Sequence, residues 1–242
     1  MSIYSKIASH LPERFVIARE CAPALLLMAA VSVTLWCGVA IGNSKILLWG
    51  AVLLTIAIGT LAFFFRNPHR TIPALTNRDI LSPADGKIIS IGPASEPEFL
   101  KKDVVRVSIF LSLFDVHVNR IPVSGVVKFK QCSDGKFLPA FLENASNSNK
   151  CVAVGIKCDD GFSMTVVQIT GFFTRRIMCH LDLGQHVDRG DCYGMICFGS
   201  RVDIFLPRET SFRVQIGDRV YGGITVIGQK SSSFGKNKIS SS

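Results

Sequence analysis

The sequence lacks the short motifs that bring a metal, a nucleotide or a conventional serine nucleophile into an active site. Its eight cysteines include no Cys-x-x-Cys pair, which argues against a structural zinc site. It also contains no His-Glu-x-x-His, no glycine-rich phosphate loop and no Gly-x-Ser-x-Gly elbow. A conventional α/β-hydrolase is therefore disfavoured, and any cofactor-type chemistry must use an electrophile that the chain makes for itself.

The charge of the chain favours an anionic partner. Its 27 Lys and Arg exceed its 18 Asp and Glu, which gives a formal charge of +9. No long basic run and no aromatic RNA-binding string occurs, so nucleic acid is a poor candidate. Hydrophobic residues are 48% of the sequence and concentrate between residues 22 and 65, which favours a membrane surface.

Residues 1–66 are predicted to form a membrane-associated helical hairpin. The stretches 22–41 and 46–65 carry no charge, and each has the roughly 20 residues that a helix needs to cross a bilayer core. The alternative is a buried hairpin in a soluble protein. Basic residues flank the outer ends of the pair, whereas the turn has only Lys45, so both ends are expected in the cytoplasm. The flanking residues are Lys6, Arg14, Arg19, Arg66 and Arg70.

Residues 67–242 are predicted to form a mainly β domain, a compact barrel or sandwich. Short β-rich runs alternate there with Gly, Pro, Asp and Asn, and a short helix is expected at 136–143. The predicted strands are 88–91, 104–110, 126–131, 152–157, 164–169, 195–198, 202–206 and 225–227.

Two pairs of similar segments suggest duplicated β-hairpins. Residues 83–88 and 122–127 share a Pro-x-x-Gly-x-aliphatic pattern, and residues 184–190 and 217–223 share Gly-x-x-Val-x-x-Gly. Each pattern places a glycine turn before a strand, where a positive φ is expected.

Three positions could carry chemistry. Gly199-Ser200 lies between two β-like runs, so the Ser200 hydroxyl could attack the preceding carbonyl; a plain turn is the alternative. Asp85 precedes a glycine and is either a turn former or a carboxylate that orients a histidine. His117, in an apolar context, is either a hydrogen-bonded core residue or a general base.

Taken together, these residues resemble the phosphatidylserine decarboxylase proenzyme family, in its short bacterial and archaeal branch. The resemblance covers nearly the whole chain and rests on ordered strings after the two apolar stretches. These are Phe-Phe-Arg-Asn-Pro at 64–68, Ser-Pro-Ala-Asp-Gly at 82–86, Phe-Asp-Val-His-Val-Asn-Arg at 114–120, Gly-Lys-Phe at 135–137 and Phe-Gly-Ser-Arg-Val-Asp-Ile-Phe-Leu-Pro at 198–207.

The resemblance implies a self-processing membrane enzyme. Cleavage between Gly199 and Ser200 would give a β chain of residues 1–199 and an α chain of residues 200–242, with Ser200 converted to a pyruvoyl group. That group, without metal or pyridoxal phosphate, would form a Schiff base with phosphatidylserine and release CO2 and phosphatidylethanolamine. The resemblance implies that the protein lies in the inner membrane of the cell, with its catalytic domain in the cytoplasm. It also implies a carrier-hammerhead-like fold for that domain.

The resemblance also assigns site residues. His117 with Asp85 would activate Ser200, and Arg120 occupies the position where the longer branch has a second histidine. The basic residues Arg120, Lys136, Arg175 and Arg176 are candidate ligands of the lipid phosphate, with solvated surface charge as the alternative.

Three other functions and the assembly state stay open at this stage. The substrate could be archaetidylserine, or the chain could be an uncleaved, membrane-anchored β-barrel that binds a ligand. A Ser-His-Asp hydrolase built from Ser200, His117 and Asp85 would turn over esters without cutting itself. A homo-oligomer is also compatible with the sequence.

Overall fold

The computed structural model describes residues 17–18, 21–42, 44–140, 148–172, 176–197 and 199–231. By its internal contacts the chain divides into two compact units, residues 1–69 and residues 70–242. The predicted flanking residues Lys6, Arg14 and Arg19 lie outside the described residues.

The first unit contains two apolar helices, α1 (Ala22–Ile41) and α2 (Lys45–Phe64). Pro23 lies in the first turn of α1, where its missing N–H costs no hydrogen bond, and the Ser44 hydroxyl caps α2. Ser32 on α1 and Thr55 on α2 are hydrogen-bonded at 3.2 Å. Each helix has a mean hydropathy of 2.3 and is long enough to cross a membrane, so the pair is compatible with membrane association.

The second unit is built on one curled, antiparallel, eight-stranded sheet, which forms a half-barrel. Its strand order is β13-β2-β3-β11-β7-β6-β5-β9. The strands are β2 (Gly86–Glu96), β3 (Lys102–Leu111), β5 (Gly125–Ser133), β6 (Cys151–Lys157), β7 (Ser163–Ile169), β9 (His186–Val187), β11 (Ser200–Pro207) and β13 (Arg219–Val220).

Two three-stranded sheets complete the unit, with orders β1-β14-β12 and β4-β10-β8. Their strands are β1 (Asp79–Leu81), β4 (Val118–Arg120), β8 (Ile177–Cys179), β10 (Cys192–Ile196), β12 (Ser211–Phe212) and β14 (Val226–Gln229). The predicted mainly β fold is confirmed. All eight predicted strands are present, whereas the prediction of a helix is wrong over 136–140, where Lys136 instead forms a β-bridge with Asn149.

The aliphatic side chains of these strands pack into one core. Ile109 of β3, Val166 of β7 and Val202 and Ile204 of β11 are all buried in it. Strand β11 lies inside the sheet and is paired along its length with β3 and over five residues with β7. The sheet therefore holds the residues that follow Gly199 on both sides.

The segments with similar sequences make matching hydrogen bonds, although these bonds join segments that are far apart along the chain and are therefore not hairpins. The Gly217 N–H donates to the Ile88 carbonyl, and the Gly184 N–H donates to the Val127 carbonyl, both at 2.8 Å. The return bonds, from the amides of residues 88 and 127 to the carbonyls of residues 218 and 185, are both 2.9 Å long. Five of the six turn glycines have positive φ, as expected, whereas Gly125 does not; the five are Gly86 (154°), Gly184 (84°), Gly190 (93°), Gly217 (100°) and Gly223 (73°).

The eight cysteines are all free thiols. Burial raises the pKa of Cys151, Cys158 and Cys179, which keeps these thiols protonated and less reactive. Cys37 and Cys132, in contrast, are exposed.

Candidate active site

Gly199 and Ser200 lie at the start of the central strand β11. Gly199 has a φ of +65°, a left-handed conformation that side chains other than glycine rarely adopt. Ser200 is fully buried and is paired with Leu111 of β3. Its hydroxyl makes no hydrogen bond to any residue that the structure describes. A buried hydroxyl without a hydrogen-bond partner is energetically costly, so packing alone gives no reason for a serine here.

The carbonyl of Gly199 packs directly against Gly171. A Cβ atom built on Gly171 would overlap the carbonyl oxygen of Gly199, so only glycine fits at position 171. Gly171 follows β7 by two residues, and β7 is the neighbour of β11. The sheet thus fixes the position of the carbonyl that precedes Ser200.

The side chain of Ser200 shares a face of the sheet with a buried amide pair. Val202, two residues after Ser200, is paired with Gln168 of β7, and directly paired or alternate residues point to the same face. The Gln168 Nε2 donates to the Asn119 Oδ1 at 2.8 Å, and both residues are completely buried. The Asn119 Nδ2 and the Gln168 Oε1 have no hydrogen-bond partner among the described residues. One donor and one acceptor therefore remain open on the face that carries Ser200.

His117 lies on the segment that joins β3 to β4 and is completely buried. Its backbone carbonyl accepts a hydrogen bond from the Ile196 N–H at 3.3 Å. Ile196 ends strand β10, three residues before Gly199. The backbone thus connects His117 to the segment that leads into the Gly199-Ser200 peptide.

Asp85 forms a buried ion pair with Arg70. The Arg70 Nη1 and Nη2 donate to the Asp85 Oδ1 and Oδ2 at 2.5 and 2.7 Å, a bidentate geometry. The Gly222 N–H also donates to Oδ1 at 2.8 Å. Arg70 and Gly222 thus donate to both oxygens of the Asp85 carboxylate. That Asp85 orients His117 stays a prediction.

Arg120 lies beside this ion pair. Its Nη1 donates to the Gly190 carbonyl at 3.0 Å. Its side chain also packs against Gly223, because a Cβ atom built on Gly223 would lie only 2.6 Å from the Arg120 Cδ. Burial lowers the pKa of Arg120, and the positive charge of Arg70 lowers it further, whereas the negative charge of Asp85 opposes this. Of the other predicted phosphate ligands, Lys136 and Arg176 are exposed, and Arg175 lies outside the described residues.

The opposite face of β11 carries a second buried charge pair. The Arg201 Nε donates to the Asp203 Oδ1 at 2.5 Å, and its Nη2 donates to the Ser108 Oγ at 2.7 Å. All three residues are buried. These contacts connect the residue after Ser200 to strand β3.

An apolar cavity of about 360 Å³ opens next to Gly199. Its lining is largely aromatic and aliphatic and comes from four segments of the second unit. The lining residues are Phe110, Ser112, Leu113, Phe114, Pro139, Ala140, Phe172 and Gly199.

Comparison with known proteins identifies the family. The family model described as phosphatidylserine decarboxylase matches residues 59–228. The chain belongs to the phosphatidylserine decarboxylase family. It is similar to the phosphatidylserine decarboxylase proenzyme of Carboxydothermus hydrogenoformans, with 46% identity over 200 residues that cover 80% of this chain and 93% of the relative.

Two further relatives carry the same name. The proenzyme of Geobacter metallireducens is 43% identical over 180 residues, 74% of this chain and 79% of the relative. The proenzyme of Geotalea daltonii is 40% identical over 179 residues, 74% of this chain and 83% of the relative. The similarity that shows membership of the phosphatidylserine decarboxylase family thus extends over most of the chain.

Sequence reasoning missed several residues that surround the candidate site of this phosphatidylserine decarboxylase family member. Asn119, Gln168 and Gly171 lie far from Ser200 along the sequence, and only the strand register brings them to the Gly199-Ser200 region. Arg70 was assigned only to membrane orientation, although it is the ion-pair partner of Asp85. An Arg-Asn-Pro-x-Arg string just after the apolar stretches was the available signal.

Proposed function

We propose that this chain converts phosphatidylserine to phosphatidylethanolamine and CO2 with a pyruvoyl group that it makes from Ser200. The geometry of the Gly199-Ser200 peptide is the main support. It combines a left-handed glycine, a carbonyl packed against Gly171 and a buried serine hydroxyl without a hydrogen-bond partner among the described residues. The proenzyme names of the relatives agree with an enzyme that is processed after synthesis.

The proposed processing uses atoms of this chain and one water molecule. The Ser200 Oγ attacks the Gly199 carbonyl carbon, a C–O bond forms, and the C–N bond breaks, which leaves an ester and a free amine on residue 200. Removal of the Cα proton of residue 200 then breaks its Cβ–O bond and releases residues 1–199 as a carboxylate. Water replaces the nitrogen of the resulting dehydroalanine, ammonia leaves, and the pyruvoyl group remains at the start of residues 200–242.

In this proposal His117 takes the proton from the Ser200 hydroxyl. Its burial and its backbone hydrogen bond to Ile196, which leads into the cleavage site, support this role. Asp85 acts as a positioning residue, because its ion pair with Arg70 holds the loop at 82–86. The Pro83 carbonyl in that loop accepts a hydrogen bond from the Arg120 N–H at 2.8 Å, three residues after His117. The loop and the histidine segment are thus connected.

The residues around Ser200 fit a small group with a polar carbonyl. When formed, a pyruvoyl group supplies a ketone that accepts the substrate amine and serves as the electron sink for decarboxylation. The open amide N–H of Asn119 and the open carbonyl of Gln168 are a donor and an acceptor on that face of the sheet. Arg120, Lys136, Arg175 and Arg176 remain the proposed ligands of the lipid phosphate.

We place the enzyme on the inner membrane with its catalytic unit in the cytoplasm. The two apolar helices and the basic residues beyond their outer ends support this orientation. The α chain, residues 200–242, would stay bound after cleavage because β11 is hydrogen-bonded to both β3 and β7.

Intact mass spectrometry of the purified full-length chain tests the proposal. We expect two chains divided between Gly199 and Ser200, with the smaller one lighter than its serine-terminated sequence by the mass of one ammonia molecule. Ser200→Ala should give one uncut chain, whereas Ser211→Ala, an exposed serine in the same segment, should be processed normally. A single uncut wild-type chain that binds a ligand would favour the binding-module alternative.

Activity on defined lipids identifies the substrate. Vesicles of phosphatidylserine should yield phosphatidylethanolamine with the cut wild-type chain and none with Ser200→Ala. Faster turnover of archaetidylserine than of phosphatidylserine would overturn the assignment of the lipid and leave the chemistry in place.

A further inference from the structure

The catalytic unit carries a cluster of exposed apolar residues at the opening of the cavity next to Gly199. Leu113 is 46% exposed, Phe114 is 74% exposed and Phe172 is 63% exposed, and all three line that cavity. We name Leu113, Phe114 and Phe172 the apolar rim. Large apolar side chains that cluster on a surface mark an interaction site more often than scattered ones do.

The turn that presents two of these residues is rigidly held. The Asp115 Oδ2 accepts hydrogen bonds from the Ser112 N–H at 2.8 Å and from the Ser112 Oγ at 2.7 Å. Its Oδ1 is paired with Arg219. Asp115 is itself buried, and its hydrogen bonds hold the turn in place. Leu113 and Phe114 are exposed at the tip of this turn.

Basic side chains lie beside the apolar rim. Arg219 of β13 is directly paired with Lys87 of β2, and Lys87 is directly paired with Phe110 of β3, which lines the cavity. Directly paired residues share a face of the sheet, so these three form a row across neighbouring strands. Lys87 and Arg219 are both exposed. An apolar cluster with flanking basic residues is the composition of a surface that binds an anionic bilayer interface.

We propose that the apolar rim inserts into the interface of an anionic bilayer and opens the cavity at Gly199 directly to the membrane. The inference rests on the proposed function, since it explains how a buried Ser200 receives a lipid that never leaves the bilayer. A bilayer is the favoured partner of this surface, because the same chain contains two helices that are long and apolar enough to cross a membrane. The lipid would pass between the apolar rim side chains with its acyl chains against apolar atoms, while Lys87 and Arg219 would contact the anionic headgroups of the surrounding bilayer.

Depth-dependent fluorescence quenching on the full-length chain tests this inference. The chain has two tryptophans, Trp36 and Trp49, and both are in the helices, so a Trp36→Phe/Trp49→Phe parent contains none. Phe114→Trp and Phe172→Trp are then introduced separately into this parent. Each chain is reconstituted in vesicles of phosphatidylcholine and phosphatidylglycerol, with a fraction of the phosphatidylcholine brominated at one depth.

We expect bromine near the headgroup end of the acyl chains to quench roughly half of the emission of Phe114→Trp and of Phe172→Trp, because interfacial side chains enter by about 5–10 Å. Leu183→Trp is the matched control: Leu183 is equally exposed, lies in the turn between β8 and β9 and does not line the cavity. The emission of this control should be unaffected. If the two apolar rim variants, with native circular dichroism, were quenched no more strongly than the control, the proposal would be overturned.

The same preparations separate this proposal from the proposed function. Processing at Gly199 and decarboxylation are measured on the tryptophan-free parent. A cut and active parent whose apolar rim is not quenched would refute the membrane surface alone. A quenched apolar rim on a parent that neither cuts itself nor decarboxylates would refute the proposed function and leave the membrane surface standing.

Discussion

The carbonyl oxygen of Gly199 packs so closely against Gly171 that no side chain fits between them. Strand β7 carries Gly171 just beyond its end, and β11 begins directly after Gly199, so neighbouring strands fix this contact. The contact determines how the carbonyl that precedes Ser200 is presented.

We therefore expect Gly171→Ala to slow self-cleavage by roughly 100-fold, since a displacement of about 1 Å at a reacting group has that effect. The fraction of cut chain against time, followed on a denaturing gel, measures it. Gly92→Ala is the matched control, because a Cβ atom there meets nothing within 4 Å. If Gly171→Ala were cut at the wild-type rate, the contact between Gly171 and the Gly199 carbonyl would contribute to packing and not to self-cleavage.

His117→Ala should slow self-cleavage by a factor of roughly 100 or more, because general base catalysis contributes about that much. His186→Ala provides the comparison, since the His186 side chain is 60% exposed and lies on the short edge strand β9. Cutting is again followed on denaturing gels after synthesis of each variant. If His117→Ala were processed at the wild-type rate, the base would have to be another residue.

Arg70→Ala should lower the free energy of unfolding by about 3–5 kcal/mol, because it leaves the buried carboxylate of Asp85 without its counter-ion. Urea titration of the purified chain measures the change. The exposed ion pair between Arg208 and Asp103 supplies the control, and Arg208→Ala should cost less than about 1 kcal/mol. Equal effects of the two variants would contradict a special role for the Arg70–Asp85 pair.

Acid should loosen the contact between the α and β chains at Asp79. Burial acts to raise the pKa of Asp79, but hydrogen bonds from Gln229 and Thr76 outweigh it, so the pKa lies below its ordinary value of 3.8. A depressed pKa adds stability that is fully present above the unfolded value and is lost as the pH falls through the folded value. With the proposed cleavage, Gln229 would lie in the α chain and Asp79 in the β chain, and Gln229 donates to Asp79 at 2.6 Å.

Unfolding of the cut protein by urea, measured at pH 6 and again below pH 3.8, tests this expectation. Asp79→Asn should be less stable than the wild type at pH 6 and should lose less stability on acidification. The same pH dependence in both proteins would assign the acid sensitivity to other carboxylates.

Several features of this protein could be predicted from the sequence because they depend on local patterns. Uncharged runs of about 20 residues predict the two helices, since length and composition alone decide whether a helix can cross a bilayer. Runs of β-branched residues between Gly and Pro located the eight longer strands, and the repeated glycines indicated turns with positive φ. The Gly199-Ser200 step was predicted as the cleavage site because its neighbours along the chain form a specific string.

The short strands β1, β4, β8, β9, β12 and β13 were missed, because two or three residues carry no periodicity. The helix predicted at 136–143 failed over 136–140 because Lys136 is paired with Asn149, a contact that no local pattern reveals.

Only the tertiary structure decided which distant residues meet. Sheet register placed Gln168 on the face of Ser200 and brought Gly171 to the carbonyl of Gly199. Folding also paired Asp85 with Arg70, because a buried carboxylate is strongly stabilised by a charged, bidentate donor within reach. The sequence by itself thus determined the elements and the residue types for the chemistry, whereas long-range packing determined their partners, since those contacts depend on strand pairing across the whole sheet.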